Sequence, residues 1–325
     1  MANGSHPARW IRHLCEAVLF LLGFLVFPWL PRKGVILLSS ALGRLACALC
    51  GKSRRIAMAN LEMAFGTDLG ERQRKVIARM SFATAARLVL DMYWFSVWPR
   101  RRLSSHVQFD PSMARLFRTN PAIAVTGHIG NWEVLSQALA MAGYPYVGIA
   151  ARLRNPILDG LLNRIRQRGP QRIAAKQGAV REVMQELRRG GRTIVLLDQN
   201  TVPRDGGIFV DFFERPVPVS KIVPALAQRT GAKAVFMFCV PNEAGGYTAY
   251  AREPLELAGR ECDELAATQR IMGVCEEVIR EWPGQWQWTY KRWRYVPPAG
   301  DVSRYPFYAQ PIPEPFLKKK AVDGN

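Results

Sequence analysis

Residues 121–141 read PAIAVTGHIGNWEVLSQALAM. After Pro121, the short apolar run Ala122-Ile123-Ala124-Val125 is of the kind that forms a strand buried on both faces. The run stops at Thr126-Gly127-His128. Asn131 to Met141 then carries apolar residues at helical spacing, and Gly143 ends it. A strand, a glycine-flanked polar turn and a helix make half of an α/β unit, and the chain downstream repeats that alternation. Strands are expected at Tyr146–Ala150, Thr193–Leu197 and Ala234–Val240, with another at Tyr247–Ala251. Helices are expected at Asn155–Arg168, Gly178–Arg189, Ser220–Arg229 and Cys262–Glu281. The expected fold class is α/β, a mixed and mostly parallel sheet with helices on its faces.

The part before the sheet is helical. Residues 52–65 and 71–94 show apolar positions at helical spacing, and Trp94 to Arg102, with Trp98, Pro99 and three consecutive arginines, reads as an interfacial loop. Ala17–Leu30 carries no charge, follows Arg9, Arg12 and His13, and precedes Arg32 and Lys33. It is shorter than the roughly 20 residues of a spanning helix, and Pro28 kinks or ends it. Pro28-Trp29-Leu30-Pro31-Arg32 lacks the small residues of a signal-peptide cleavage site. A tilted span and an interfacial anchor both fit. An ordinary buried helix is the third reading, but the Trp, Phe and Leu content favours membrane contact. The expected organisation is an anchor region over 1–50, which includes the apolar stretch Val35–Cys50, then a catalytic region over 51–305 and a loose tail over 306–325.

Lys and Arg total 45 against 26 Asp and Glu, a formal charge of +19. Such a field attracts nucleic acid, anionic lipid or an acidic protein. No nucleic-acid-binding module is recognisable, and many arginines lie near apolar, Trp-rich segments, which points to a membrane surface. Of six cysteines, Cys47 and Cys50 are the one close pair, with no second pair to complete a zinc site. Free thiols in a reducing compartment are expected, and no metal.

Chemistry concentrates at His128. A histidine at the end of a buried strand, just before a helix, stands where open α/β sheets place their ligands. Gly127 and Gly130 leave room beside it, and Glu133 follows five residues on. If the helix begins near Asn131, Glu133 lies in its first turn and can fold back to hold one ring nitrogen as the proton donor, freeing the other to act as a base. His6, His13 and His106 lack such surroundings. No Gly-x-Ser-x-Gly elbow is present, so a direct transfer without a covalent enzyme intermediate is the natural mechanism.

The run Gly127-His128-Ile129-Gly130-Asn131-Trp132-Glu133 resembles the His-x-x-x-x-Glu motif of the bacterial lipid A late acyltransferases, the lauroyl/myristoyl transferase family. Further blocks follow in that family's order. They are Arg55-Ile56-Ala57 with Asn60-Leu61 and Ala64-Phe65, Asn155-Pro156-Ile157-Leu158-Asp159 with Arg164, Leu197-Asp198-Gln199, Phe209 to Phe213, and Gln285 to Trp288 with Arg292 and Arg294. The resemblance implies a fold like that of the glycerol-phosphate acyltransferases and an inner-membrane enzyme facing the cytoplasm. It also implies transfer of a fatty acyl chain from acyl carrier protein or coenzyme A to a glycolipid hydroxyl, with no cofactor besides that thioester. The excess positive charge suits acyl carrier protein, lipid phosphates and anionic lipid alike.

The chain departs from the family pattern in three places. Glu214, Val219 and Ser220 stand where Gly-x-x-x-Thr is usual, Tyr290 replaces a histidine of the terminal block, and the arginine ahead of Asn-Pro is shifted to Arg152, with Arg154 nearby. These differences leave another acceptor, such as a phosphatidylinositol mannoside, open. Asn131, Arg152, Arg154, Arg164 and Asp198 are the candidate substrate-binding residues, the arginines for phosphate. Asp198 could equally cap a turn. A backbone N–H near Gly130 or an arginine would serve as oxyanion donor. The rival functions are a lipid hydrolase in which His128 and Glu133 activate water, and a non-catalytic basic protein of the membrane surface.

Overall fold

The computed structural model describes residues 7–149, 154–167, 169–174, 178–257, 259 and 263–318. Four helices lead: α1 (Pro7–Val26), α2 (Arg32–Leu49), α3 (Gly51–Phe65) and α4 (Glu71–Trp94). A further helix, α5 (Pro99–His106), replaces the expected loop. Pro99 at its first turn is pre-set for helix, and the left-handed Trp98 (φ 47°) turns the chain into it. Then follow β1 (Val107–Phe109), α6 (Ala114–Phe117), β2 (Ala122–Thr126), α7 (Trp132–Met141), β3 (Val147–Ile149), α8 (Pro156–Arg166), β4 (Arg172–Ala174), α9 (Ala179–Arg188) and β5 (Arg192–Leu196). A hairpin of β6 (Gly207–Phe212) and β7 (Arg215–Ser220) precedes α10 (Ile222–Thr230), β8 (Lys233–Pro241), β9 (Tyr247–Ala251) and α11 (Glu264–Glu281). The chain then runs through β10 (Tyr295–Val296), β11 (Gln310–Pro311) and α12 (Glu314–Leu317).

The seven-stranded sheet has the order β1-β9-β8-β2-β5-β3-β4. Only β8 and β9 pair antiparallel, so the sheet is mixed and mostly parallel, as the sequence predicts. β2 lies centrally, and all five of its residues are buried. Its side chains alternate between two cores: Ile123 and Val125 join Ile271 and Val278 of α11 on one face, while Ala122 and Ala124 join Leu135 and Leu139 of α7 on the other.

The N-terminal helices are built onto this sheet. α2 buries Val35, Ser39, Gly43 and Cys47, a stripe at four-residue spacing, and Val35 shares a core with Leu90 and Trp94 of α4. Core packing thus runs across residue 50, the expected end of the anchor region. Trp10–Trp29 is long and apolar enough to cross a membrane, with only 17% of it buried. Its polar side is docked: Asn155 Nδ2 donates to the His13 carbonyl and to Glu16, both at 2.9 Å, while Asn155 Oδ1 caps α8. On the other flank Phe20, Phe24 and Phe27 ring the phenol of Tyr93.

The segment from residue 306, expected to be loose, is tied down as far as the structure describes it. Ile312 is buried, β11 pairs with β10, the Arg55 guanidinium stacks 3.9 Å above the Phe307 ring, and the Tyr308 hydroxyl bonds Asn60. Proline removes backbone donors but leaves carbonyls and rings free to pair and pack.

Asp91 on α4 fastens these layers together. Its carboxylate, fully buried, accepts from Arg32 of α2, from the Tyr247 hydroxyl of β9 and from Asn131 Nδ2 (3.0 Å), with Arg87 Nε at 3.9 Å. Removing one partner of a buried charge network strands the others. Asp91→Ala is expected to lower unfolding stability by about 3–5 kcal/mol, measured by denaturant titration in detergent. An unchanged midpoint would show that these layers hold without it.

Candidate active site

β2 and β5 are parallel neighbours with Thr126 opposite Leu196. Two residues further on, His128 and Asp198 leave the sheet side by side. Asp198 Oδ1 lies 2.7 Å from His128 Nδ1, and Oδ2 accepts from the His128 backbone N–H at 2.7 Å and from the Trp286 indole at 2.8 Å. Asp198 is buried, and the His128 side chain is 16% exposed. With Nδ1–H held by a carboxylate, Nε2 presents its lone pair outward. Beside it lies a small depression, too narrow to admit a water molecule, lined with His128 and Asp198 by Gln199, Trp286, Gln287 and Tyr290, and the Gln199 amide nitrogen stands 3.1 Å from Nε2.

Electrostatics favour a base. Burial pulls the imidazole below its ordinary value, but the charge and hydrogen bond of Asp198, with the field of Glu133, outweigh it and the net shift is upward. For Asp198, burial pushes the carboxyl up, while His128 and Trp286 pull it further down, to about 2. Asp198 therefore stays ionised at neutral pH.

The carboxylate on the imidazole is thus Asp198, where Glu133 was expected. Glu133 lies in the first turn of α7, and its carboxylate accepts from Arg166 at Nε (3.1 Å) and Nη2. Arg166, in the last turn of α8, holds it there, and its charge contributes to the upward shift at the ring. Asn131 is not free to bind substrate. It is 1% exposed, its Oδ1 caps α7 by accepting from the Val134 N–H, and its amide is shared by Asp91 and Tyr247. Arg154 and Arg164 are exposed, and Arg152 lies outside the described residues. Arg166, which was not among the candidates, pairs with Glu133. The helical period carries the signal: Leu162 and Ile165 are buried, and position 166 follows 162 by one turn whereas 164 does not.

The backbone around Gly130 is already committed. Gly130 N–H donates to the Gln285 carbonyl (2.8 Å) and Asn131 N–H to that of Cys239 (2.9 Å), so neither is the expected oxyanion donor. Gly130 itself has φ +59°, and a Cβ there would sit 1.9 Å from the Cys239 oxygen, so no other residue fits. Trp286, Trp288 and Trp293 are all core residues. Ser81 Oγ donates to the Trp286 carbonyl, and Asn60 Nδ2 donates to those of Trp288 and Tyr290, which holds the Trp286 indole beneath Asp198.

The family model for bacterial lipid A biosynthesis acyltransferases matches residues 2–295. The lipid A biosynthesis myristoyltransferase of Escherichia coli (strain K12) is 25% identical over 305 residues, which cover 92% of this chain and 91% of that protein. The lipid A biosynthesis lauroyltransferase of the same organism is 25% identical, covering 92% and 96%. Lipid A biosynthesis acyltransferase 2 of Shigella flexneri is 23% identical, covering 89% and 91%. The chain also aligns with the solved 1-acyl-sn-glycerophosphate acyltransferase PlsC of Thermotoga maritima at 16% identity and a TM-score of 0.37, over 77% of this chain and 98% of that one. Matched along nearly its whole sheet-bearing length, the chain belongs to the bacterial lipid A biosynthesis acyltransferase family, and it is an acyltransferase.

Proposed function

We propose that the protein moves a fatty acyl chain from an acyl thioester, of acyl carrier protein or coenzyme A, to a hydroxyl of a lipid A precursor, with His128 as general base and Asp198 as its orienting carboxylate. The observation that carries this reading is the 2.7 Å contact between Asp198 and His128 Nδ1, which leaves Nε2 as the proton acceptor at the edge of the depression. The acceptor oxygen forms a bond to the thioester carbon as its proton passes to Nε2. When the tetrahedral intermediate collapses, the C–S bond breaks and the imidazolium returns the proton to the departing thiolate. Burial pushes the Cys239 and Cys275 thiols up, and among the described residues no serine or cysteine side chain hydrogen-bonds His128, which supports a single-step transfer.

Glu133 and Arg166 form the second charged pair beside the ring. In this reading Glu133 stabilises the imidazolium by its charge, and Arg166 fixes the carboxylate in place. The exposed leucines of α1 and the positive charge of the chain support a site held at the cytoplasmic face of the inner membrane, where acyl carrier protein, phosphate-bearing lipid and anionic headgroups are all complementary.

Mass spectrometry of lipid A from cells expressing the wild type or His128→Ala tests the reading. The wild type is expected to add one acyl mass, and His128→Ala to lose the activity by at least about 100-fold while remaining folded. An acyl mass on another lipid would keep the chemistry and change the acceptor. A folded, fully active His128→Ala would overturn the mechanism.

The two carboxylates differ in their expected effect on pH dependence. His128 must be neutral to accept a proton, and its upward shift places the acid limb of kcat/KM above pH 6.5. Asp198→Asn removes the largest upward contribution, so the limb is expected to move to lower pH while the plateau rate falls steeply. Glu133→Gln is expected to move it in the same direction by less. If Glu133→Gln moves the limb further than Asp198→Asn, the assignment of the two roles is reversed.

A further inference from the structure

We propose that Gln199 takes part in the transfer itself. Its side-chain amide covers the lone pair of His128 Nε2 in the resting enzyme. When the acceptor hydroxyl displaces it, the amide donates to the oxygen of the tetrahedral intermediate. This inference rests on the reading of His128 as the base.

Three observations carry it. Nδ1–H is spent on Asp198, so the group that fits against Nε2 is a donor, and the Gln199 amide nitrogen lies there at 3.1 Å. Four fixed donors nearby are already used: His128 N–H and the Trp286 indole on Asp198, Gly130 N–H on Gln285, and Asn131 N–H on Cys239. A tetrahedral intermediate still needs a donor at about 2.7–3.1 Å, and the amide has a second N–H beyond the one turned to Nε2. Finally, the backbone beneath Gln199 is anchored while its side chain is exposed. Asn200 donates its N–H to the Tyr290 hydroxyl and its Nδ2 to the Lys291 carbonyl, both at 3.0 Å, and its Oδ1 accepts from Arg292 at 2.6 Å. A side chain with three rotatable bonds can thus swing from a fixed Cα. A hydroxyl bound to Nε2 at about 2.8 Å brings the reacting carbonyl within that sweep. Gln199 stays neutral throughout: it gives hydrogen bonds and moves no proton.

The test uses the purified full chain in detergent, a lauroyl thioester of acyl carrier protein, and a lipid A precursor with a free hydroxyl. Gln199→Ala is expected to lower kcat by about 100-fold with KM for both substrates within about twofold and an unchanged melting midpoint. Gln199→Asn, whose amide falls one methylene short, is expected to lose kcat in the same way. A donor on Nε2 disfavours protonation, so the acid limb of kcat/KM is expected to move to higher pH in Gln199→Ala, which a purely structural role would not produce. With His128→Ala inactive, a Gln199→Ala enzyme that keeps its kcat, or loses only KM, overturns this proposal alone. An active His128→Ala would instead remove the base and this proposal with it.

Discussion

A carboxylate with 2% of its surface exposed stays charged only if donors replace the water it has lost. Asp198 receives three, and each fixes a different part of the molecule. The His128 backbone N–H sets where the chain leaves β2, the imidazole Nδ1–H sets the plane of the ring, and the Trp286 indole draws the strap 286–290, between α11 and β10, against the sheet. The strap reaches this position because Asn60 and Ser81, on α3 and α4, bond its carbonyls. Helices laid down early in the chain thereby position a tryptophan from near its end.

The loop between β2 and α7 is held from both sides of the sheet. Asp198 grips it at His128, the Gln285 and Cys239 carbonyls grip it at Gly130 and Asn131, and Asp91 grips the Asn131 side chain. Rigid seating of this kind suits the proposed role of His128, since a base so held need not reorganise as charge develops. Asp91 and Asp198 are equivalent devices, each a buried anion that gathers donors from distant parts of the sequence.

Much of this was legible in the residues. The strand–turn–helix at 121–141 gave the α/β class and the place of His128, and strong helical spacing marked Glu71–Trp94 to the residue. The hairpin of β6 and β7 is hard to read from the residues, because Pro216 and Pro218 disfavour a strand in a central sheet position. In the structure they sit in a two-stranded ribbon outside the main sheet. The identity of the orienting carboxylate was not readable, since spacing along the chain favours Glu133 and only the pairing of β2 with β5 brings Asp198 across 70 residues. The place of Asn131 is equally hidden from the sequence. A polar residue inside a catalytic motif looks like a ligand group, yet every polar atom of its side chain serves α7, Asp91 or Tyr247.

Asn155 joins α1 to α8, and α8 carries Arg166. An anchor on a slack tether would let the rest of the molecule tumble above whatever surface it grips. Here the apolar rod is bolted to the scaffold of the site, with Tyr93 wedged among its phenylalanines as a second bolt. Height and attitude become properties of the fold. Any surface that takes up α1 would therefore meet the end of the sheet that bears His128 at one distance and one tilt, fixed by the fold and not by a tether.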